Sequence, residues 1–431
     1  MTIFNRIESN VRGYCRSFPT TFTKARNASL YNEAGEEFID FLAGAGTLNY
    51  GHNNPKLKGK LIEFLERDGL LHGLDMQTDA KARFLEVFEK RILSPLELDY
   101  KVQFTGPTGT NAVEAALKLA RKVTGRTNVV SFTNGFHGVS LGSVAATGNS
   151  HFRNAAGTPL NNVTFMPYHG YLGDHMDTLE YFEAILKDNS SGLDLPAAVI
   201  AETVQGEGGV NVASLEWLQQ LETLCQEYGM LLIIDDIQVG CGRTGNFFSF
   251  EKAGIVPDIV TLSKSLSAYG LPMSLVLMKS ELDQWEPGEH NGTFRGNNLA
   301  FVSAAEAIEM YWSDYQFARE ILRKGALIKN RLEQIAEKVS DVELEVRGTG
   351  MIWGLACQEC PALPEKISAA AFERGLIIET SGTDSHVLKL LPPLTIEDDQ
   401  LLQGLDIIND CFEAVLNDDR VLKELGLVSA D

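Results

Sequence analysis

From about Tyr100 onward, short apolar runs alternate with longer stretches in which apolar residues recur every three or four positions. The runs KVQF, NVVSF, AAVIAE, MLLIID and IVTLS read as buried strands, and NAVEAALKLARKV and SLEWLQQLETLCQEY between them carry the helical period. In the first of these helices Val113, Ala116, Leu117 and Ala120 fall on one face. Strands alternating with amphipathic helices predict a largely parallel sheet covered on both faces, an α/β architecture that binds ligands at the carboxyl ends of its strands.

Near Ser313 the character changes. A long charged helical stretch runs through Lys338, followed by strand-like LEVRGTGMIWGLAC and HVLKLLPPL on either side of a helix around EKISAAAFERG. The expected division has a large domain over 56–311 and a smaller α+β domain over 312–431, which the N-terminal segment 1–55 joins.

Composition narrows the class. A chain of 431 residues, 44% of them hydrophobic, is too long for one small core and ample for two packed interiors. The net charge of −21, from 58 acids against 37 bases, is spread along the chain and argues against nucleic acid or an anionic membrane as partner. It suits solubility, or a cytoplasm of raised ionic strength in which salt screens like charges. Arg6, Glu8 and Arg12 interrupt any signal-peptide core and no run of apolar residues is long enough to span a membrane, so a cytoplasmic location is expected. The six cysteines are scattered, as in a reducing compartment. Cys357 and Cys360 have metal or redox spacing, but no second pair stands at a matching interval.

Candidate chemistry sits at the strand ends. The loop Gly106 to Thr110 separates a strand from a helix, where free amides and the hydroxyls of Thr108 and Thr110 suit a phosphate; a plain turn with an N-cap explains it equally well. No P-loop lysine follows, which argues against nucleoside triphosphate hydrolysis. At the end of MLLIID, Asp235 and Asp236 point to opposite faces, so one of them faces a site. A carboxylate so near the interior needs a partner, and with no histidine within ten residues a cationic cofactor atom suits better than a metal. The segment GCGRTG, Gly240 to Gly245, matches a dinucleotide pattern letter for letter and would make the chain a nicotinamide-dependent oxidoreductase. It neither starts right after the strand nor opens a helix.

Lys264 is the single charged residue between Ile259 and Met278. A buried, unpartnered lysine loses its proton readily and its neutral amine attacks carbonyls, whereas one that snorkels to solvent does neither. Phosphate loop, strand-end aspartate and lysine together suit a cofactor with a phosphate, a basic ring nitrogen and an aldehyde. Pyridoxal 5'-phosphate has all three.

In chain order, NYGHNNP, TGTNAVEAALKLAR, GFHG, AETVQGEGG, DDIQVGCGRTG, PDIVTLSK, GTFRGNN and LPPL resemble the motifs of the class III aminotransferases, which are fold type I pyridoxal-phosphate enzymes. The resemblance covers nearly the whole chain. It implies a large domain with a mostly parallel, mixed sheet and a smaller α+β domain. It makes Lys264 the residue that holds the cofactor aldehyde and carries the substrate proton, and Asp235 the partner of the ring nitrogen, a contact that favours the protonated ring. Gly109 and Thr110 would cradle the phosphate, Phe136 and Ile237 would cover the two ring faces, and Gln238 would lie near the ring hydroxyl. His137 and Glu202 complete the implied cofactor site. Thr293 would reach the phosphate of a neighbouring subunit, which implies a homodimer or higher homo-oligomer. K+ is a further candidate cofactor, for which the sequence shows no ligand set.

Three positions depart from the family pattern. Thr203 and Asp236 stand where relatives usually have proline and glutamate, and Lys389 stands where many carry an arginine that grips the substrate carboxylate. A lysine offers a point charge in place of a bidentate fork. Glu207 occupies the position that can neutralise that arginine when an ω-amino substrate binds, and Arg295 is the next candidate for carboxylate recognition. GLDMQTDAKARF, DDIQVGCGRTGNFF and TFRGNNLAFVSA resemble, within the family, enzymes that pass the amine of glutamate to the aldehyde of L-aspartate 4-semialdehyde. Ornithine, acetylornithine and 4-aminobutyrate are the same-class alternatives. A pyridoxal-phosphate-binding regulator without turnover is a third reading, against which the intact lysine, aspartate and phosphate loop speak.

Overall fold

Seven strands form the central sheet in the order Tyr100–Phe104, Leu275–Lys279, Ile259–Leu262, Leu231–Asp235, Ala198–Ala201, Val129–Phe132, Val163–Met166. Leu275–Lys279 runs antiparallel to both its neighbours, and the other pairings are parallel. The structure is a computed structural model describing residues 2–173, 175–340 and 342–427. The five expected strands are present. Val163–Met166 and the antiparallel Leu275–Lys279, which the alternation did not single out, complete the sheet.

The helix Gly109–Thr124 buries Ala112, Val113, Ala116, Leu117 and Ala120 against the sheet residues Ile200, Ile233, Ile259 and Val276. A fully buried large aliphatic side chain contributes roughly 1.5–3 kcal/mol, so this one face holds the helix in place. The helix stops at Gly125, whose φ of 69° lies in the left-handed region that glycine tolerates. On the opposite face, Leu215–Tyr228 begins where the Ser214 side chain accepts from Trp217 N, and buries Trp217, Leu218 and Leu221.

A second core gathers Ala28, Ile39 and Phe41 with residues from Ile321 to Val415. The strand Glu37–Asp40 pairs in parallel with Leu376–Ile377, so the N-terminal segment packs with the C-terminal part of the chain. The long helix Gln316–Lys338 buries Ile321, Ile328, Leu332 and Ile335 into this core. A separate four-stranded sheet runs Glu345–Thr349, Ile352–Ala356, Val387–Leu390, Glu379–Ser381. Cys357 and Cys360 are buried free thiols here, with burial raising both pKa values. Among the described residues no helix is long and apolar enough to cross a membrane.

Candidate active site

Loops leaving the carboxyl ends of the parallel strands converge on one cavity. Of the thirteen residues expected at the site, ten line it; Thr293, Lys389 and Arg295 do not. Gly106 to Thr110 follows Tyr100–Phe104, Phe136 and His137 follow Val129–Phe132, Glu202 follows Ala198–Ala201, and Lys264 follows Ile259–Leu262.

At the helix start, the Gly109 and Thr110 amides precede the first bond of the turn, made by Asn111 N to Thr108 O at 3.0 Å. Those amides and the positive end of the helix suit a phosphate. Thr110 Oγ1 lies 2.6 Å from Ser140 Oγ, which donates to Glu114 Oε1 at 2.7 Å, so the GFHG loop is tied to this helix. Gly138 has φ 117°, and a Cβ there would come within 2.6 Å of Thr110 Oγ1. Glycine is required on both counts.

Asp235 is 4% exposed and fully engaged. Its Oδ2 lies 2.7 Å from His137 Nδ1, while Oδ1 accepts from Thr261 Oγ1 at 3.0 Å and from Ile237 N at 3.3 Å. His137, 98 residues away in the chain, is a protein partner of Asp235 that a search of the neighbouring sequence could not find. Asp236 turns away from the cavity, as strand alternation requires. Its Oδ2 accepts from Ser249 N at 3.2 Å, and Ser249 Oγ accepts from Thr203 Oγ1 at 2.6 Å. The two departures Thr203 and Asp236 therefore meet through one serine. Burial pushes the Asp236 carboxyl up to about 7, and its Oδ1 has no partner. Glu202 accepts from Phe136 N at 2.9 Å, and burial, with the nearby Asp235 charge, raises its pKa well above the carboxylate range.

Lys264 stands just beyond its strand with φ 48°, a left-handed conformation that costs a non-glycine residue about 1–3 kcal/mol. Its Nζ donates to Ala45 O at 2.9 Å. Burial lowers its pKa, against the opposing charge of Glu207, which folding brings into its electrostatic range although the run around Lys264 holds no acid. Gln238 Nε2 donates to Ala45 O at 3.2 Å and to Glu207 Oε1 at 2.8 Å. A Cβ on Gly206 would fall on Gln238 Oε1, so this packing depends on glycine.

Lys389 lies behind Glu207, wholly buried, with Nζ 2.7 Å from Glu207 Oε1 and 3.1 Å from Glu379 Oε1. Burial opposes ionisation of Glu207, but the charges of Lys389 and Lys264 outweigh it and hold that carboxyl down to about 2. Glu379 stands outside the cavity lining but touches Lys389, and sequence reasoning missed it. Burial raises the pKa of Glu379 despite Lys389. No linear motif marks it; only the strand pairing of Glu379 with Lys389 brings it here. Thr293 is exposed, and Arg295 bonds within its own loop to Asn291 Oδ1 at 3.0 Å.

The segment Gly240 to Gly245 opens no helix. Its Arg243 is buried and donates to Met351 O, Pro392 O and Asn49 Oδ1, which ties the two cores together and removes the basis of the oxidoreductase reading.

The family model described as Aminotransferase class-III matches residues 13–412. Diaminobutyrate--2-oxoglutarate transaminase of Bordetella parapertussis is 61% identical over 420 residues, covering 97% of either chain. The protein of the same name from Halomonas elongata is 59% identical over 409 residues, covering 94% of this chain and 97% of that one. Among solved structures, the ornithine aminotransferase of Toxoplasma gondii superposes with a TM-score of 0.81 at 27% identity, covering 96% of this chain and 94% of that one. An S-selective transaminase from Arthrobacter sp., with a TM-score of 0.85 at 23% identity over 96% and 98% of the two chains, bears on the fold alone. With a half-buried lysine, an oriented aspartate and a helix-start cradle meeting at the strand ends, and with the family match running through all of them, the chain belongs to the class III aminotransferases.

Proposed function

We propose that this chain is a pyridoxal-phosphate-dependent transaminase that takes the amino group of L-glutamate and delivers it to the aldehyde of L-aspartate 4-semialdehyde, yielding 2-oxoglutarate and L-2,4-diaminobutyrate. Atoms balance over two half-reactions: glutamate would exchange its amine for a carbonyl oxygen, and the semialdehyde would exchange its carbonyl oxygen for that amine, with the bound cofactor as the carrier between them. The observation that carries this reading is Lys264, a half-buried amine in the same cavity as Asp235 and the Gly109–Thr110 cradle. The names of relatives 54–61% identical over most of the chain support the substrate pair.

The residues fit the cofactor. The Gly138 and Gly109 positions leave room where a Cβ would press on Thr110 or Ile237, and the Asp235 carboxylate is held in one orientation by three donors or partners. When bound, pyridoxal phosphate supplies an electron sink for the carbanion formed at the substrate carbon. In this reading Asp235 holds the ring nitrogen in its protonated form, and Phe136 and Ile237 confine the ring. Lys264, whose proton affinity burial reduces, moves the proton at the substrate carbon. Glu207 faces the substrate, with Lys389 behind it.

Thr293 and Arg295 fit the same reading as residues of an exposed loop that complete the site of a second copy, in a homodimer or larger homo-oligomer. The division into 1–55, 56–311 and 312–431 is part of this proposal. The deciding experiment is an amine-acceptor screen of the purified protein with glutamate as donor. Aspartate 4-semialdehyde should be preferred over glutamate 5-semialdehyde, N-acetylglutamate 5-semialdehyde and succinate semialdehyde; a preference for any of these three would replace the proposed substrate.

A further inference from the structure

Glu379 and Lys389 are direct cross-strand partners in the pairing of Glu379–Ser381 with Val387–Leu390. Residues so placed hold each other at fixed separation. Lys389 is fully buried and Glu379 is 8% exposed, so their charges interact with little solvent screening. On its other side Lys389 meets Glu207, which alone of the three lines the cavity. One ammonium thus stands between two carboxylates. Glu207 is in the loop between the strands Val204–Gln205 and Asn211–Val212, flanked by Gly206 and Gly208, whereas Glu379 and Lys389 are embedded in a sheet. Glu207 is the member that can turn aside; Glu379 is fixed.

We infer that Glu379 is a positioning residue that tunes substrate choice: it keeps Lys389 in place and offsets its charge, weakening the hold on a carboxylate next to the reacting carbon. This rests on the reading of the cavity as a site that alternates between glutamate and an ω-amine. When glutamate enters and Glu207 moves away, its near carboxylate meets a lysine still paired with Glu379, and the attraction is only partial. When the ω-amine enters, no carboxylate comes near, Glu207 stays on Lys389, and the charge of Glu379 matters less. A lysine flanked by a single acid would hold glutamate and its product more tightly and release them more slowly.

The test uses the holoenzyme and the variants Glu379→Gln and Glu379→Asp. Glu379→Gln leaves Lys389 its bond to Glu207, so no cation is orphaned; should it fail to fold, Glu379→Ser carries the same expectation. Two readouts are taken: the dissociation constant of glutarate, an unreactive dicarboxylate, by calorimetry, and the KM values of the separate half-reactions with L-glutamate and L-2,4-diaminobutyrate. Removing a buried like charge should tighten glutarate about tenfold and raise the ratio of the diaminobutyrate KM to the glutamate KM by about the same factor. Glu379→Asp, which keeps the charge, should stay within about twofold of the parent for both. Parallel shifts of the two KM values, or glutarate binding that is unchanged or weaker in Glu379→Gln, would overturn the inference. A parent protein inert toward diaminobutyrate would sink the proposed substrate instead, and the glutarate comparison would still decide the role of Glu379.

Discussion

The Nδ1 atom of His137 lies 2.7 Å from Oδ2 of Asp235, joining the loop after one strand to the end of another. With Thr261 and the Ile237 amide on the other oxygen, Asp235 has one available orientation. That rigidity matters, because a carboxylate free to rotate would meet a ring nitrogen only part of the time.

His137→Phe should therefore lower kcat about 10- to 100-fold, the range typical of partners that orient a functional ligand. Asp235 would keep two of its three contacts, so the fold should survive. Steady-state turnover beside a thermal melt checks this. A variant with parental kcat would show that Thr261 and the Ile237 amide suffice to aim the carboxylate.

Lys264 supplies the second expectation. Lys264→Ala should retain cofactor through the Gly109–Thr110 cradle and Asp235, yet lose at least about 100-fold in turnover, the contribution of a placed proton carrier. Borohydride treatment should fix the cofactor to the peptide containing Lys264 in the parent and leave it dialysable in the variant. Substantial turnover by Lys264→Ala would remove the residue from its role.

How far these residues could be read from the chain follows from the range of each interaction. Lys264 was legible because a lone charge in an apolar run is a local contrast, and the parallel sheet was legible because its strands are buried on both faces. The partners of Asp235 and Lys389 were not. His137 and Asp235 are brought together by the order of strands in the sheet, and Glu379 meets Lys389 through the register of a hairpin. GCGRTG shows the converse: a local match to a pattern whose glycines serve close packing, with a Cβ on Gly242 falling 2.7 Å from Trp312. Thr293 and Arg295 stand outside the cavity, where one chain alone assigns them no partner in it.

Asp236 should make stability depend on pH. Its carboxyl titrates at about 7 in the folded chain, against an ordinary value near 4. The folded state thus holds a proton that the unfolded state has released across that window. The stabilising contribution is complete below about pH 4 and is lost as pH rises through about 7. Asp236→Asn should remove this dependence, so the stability of the parent relative to the variant falls by a few kcal/mol, on the order of 1.4 per pKa unit, between about pH 4 and 7. Denaturant unfolding at several pH values measures it. A difference independent of pH would mean that Asp236 is ionised in the fold throughout.

Lys389 reverses the sign of that dependence for its own neighbours. In the parent, Glu207 is held down to about 2, so its stabilising contribution is present above the ordinary carboxylate range and is lost as pH falls through about 2. Lys389→Met removes the cation that pairs with both Glu207 and Glu379 and leaves a half-buried and a buried carboxylate facing each other. Burial and mutual repulsion then raise both pKa values, and a raised carboxyl loses stability as pH rises. The variant should be less stable than the parent by about 3–5 kcal/mol at pH 8, the usual cost of breaking a buried pair from one side, and by much less near pH 4.5, where both acids can be protonated. Adding Glu379→Gln should recover part of the loss at pH 8, since one of the two uncompensated charges is gone. Melts of the parent and both variants at the two pH values decide the matter. A deficit equal at both would assign Lys389 a packing role, and a double variant no more stable than Lys389→Met would show that Glu379 carries no charge beside it.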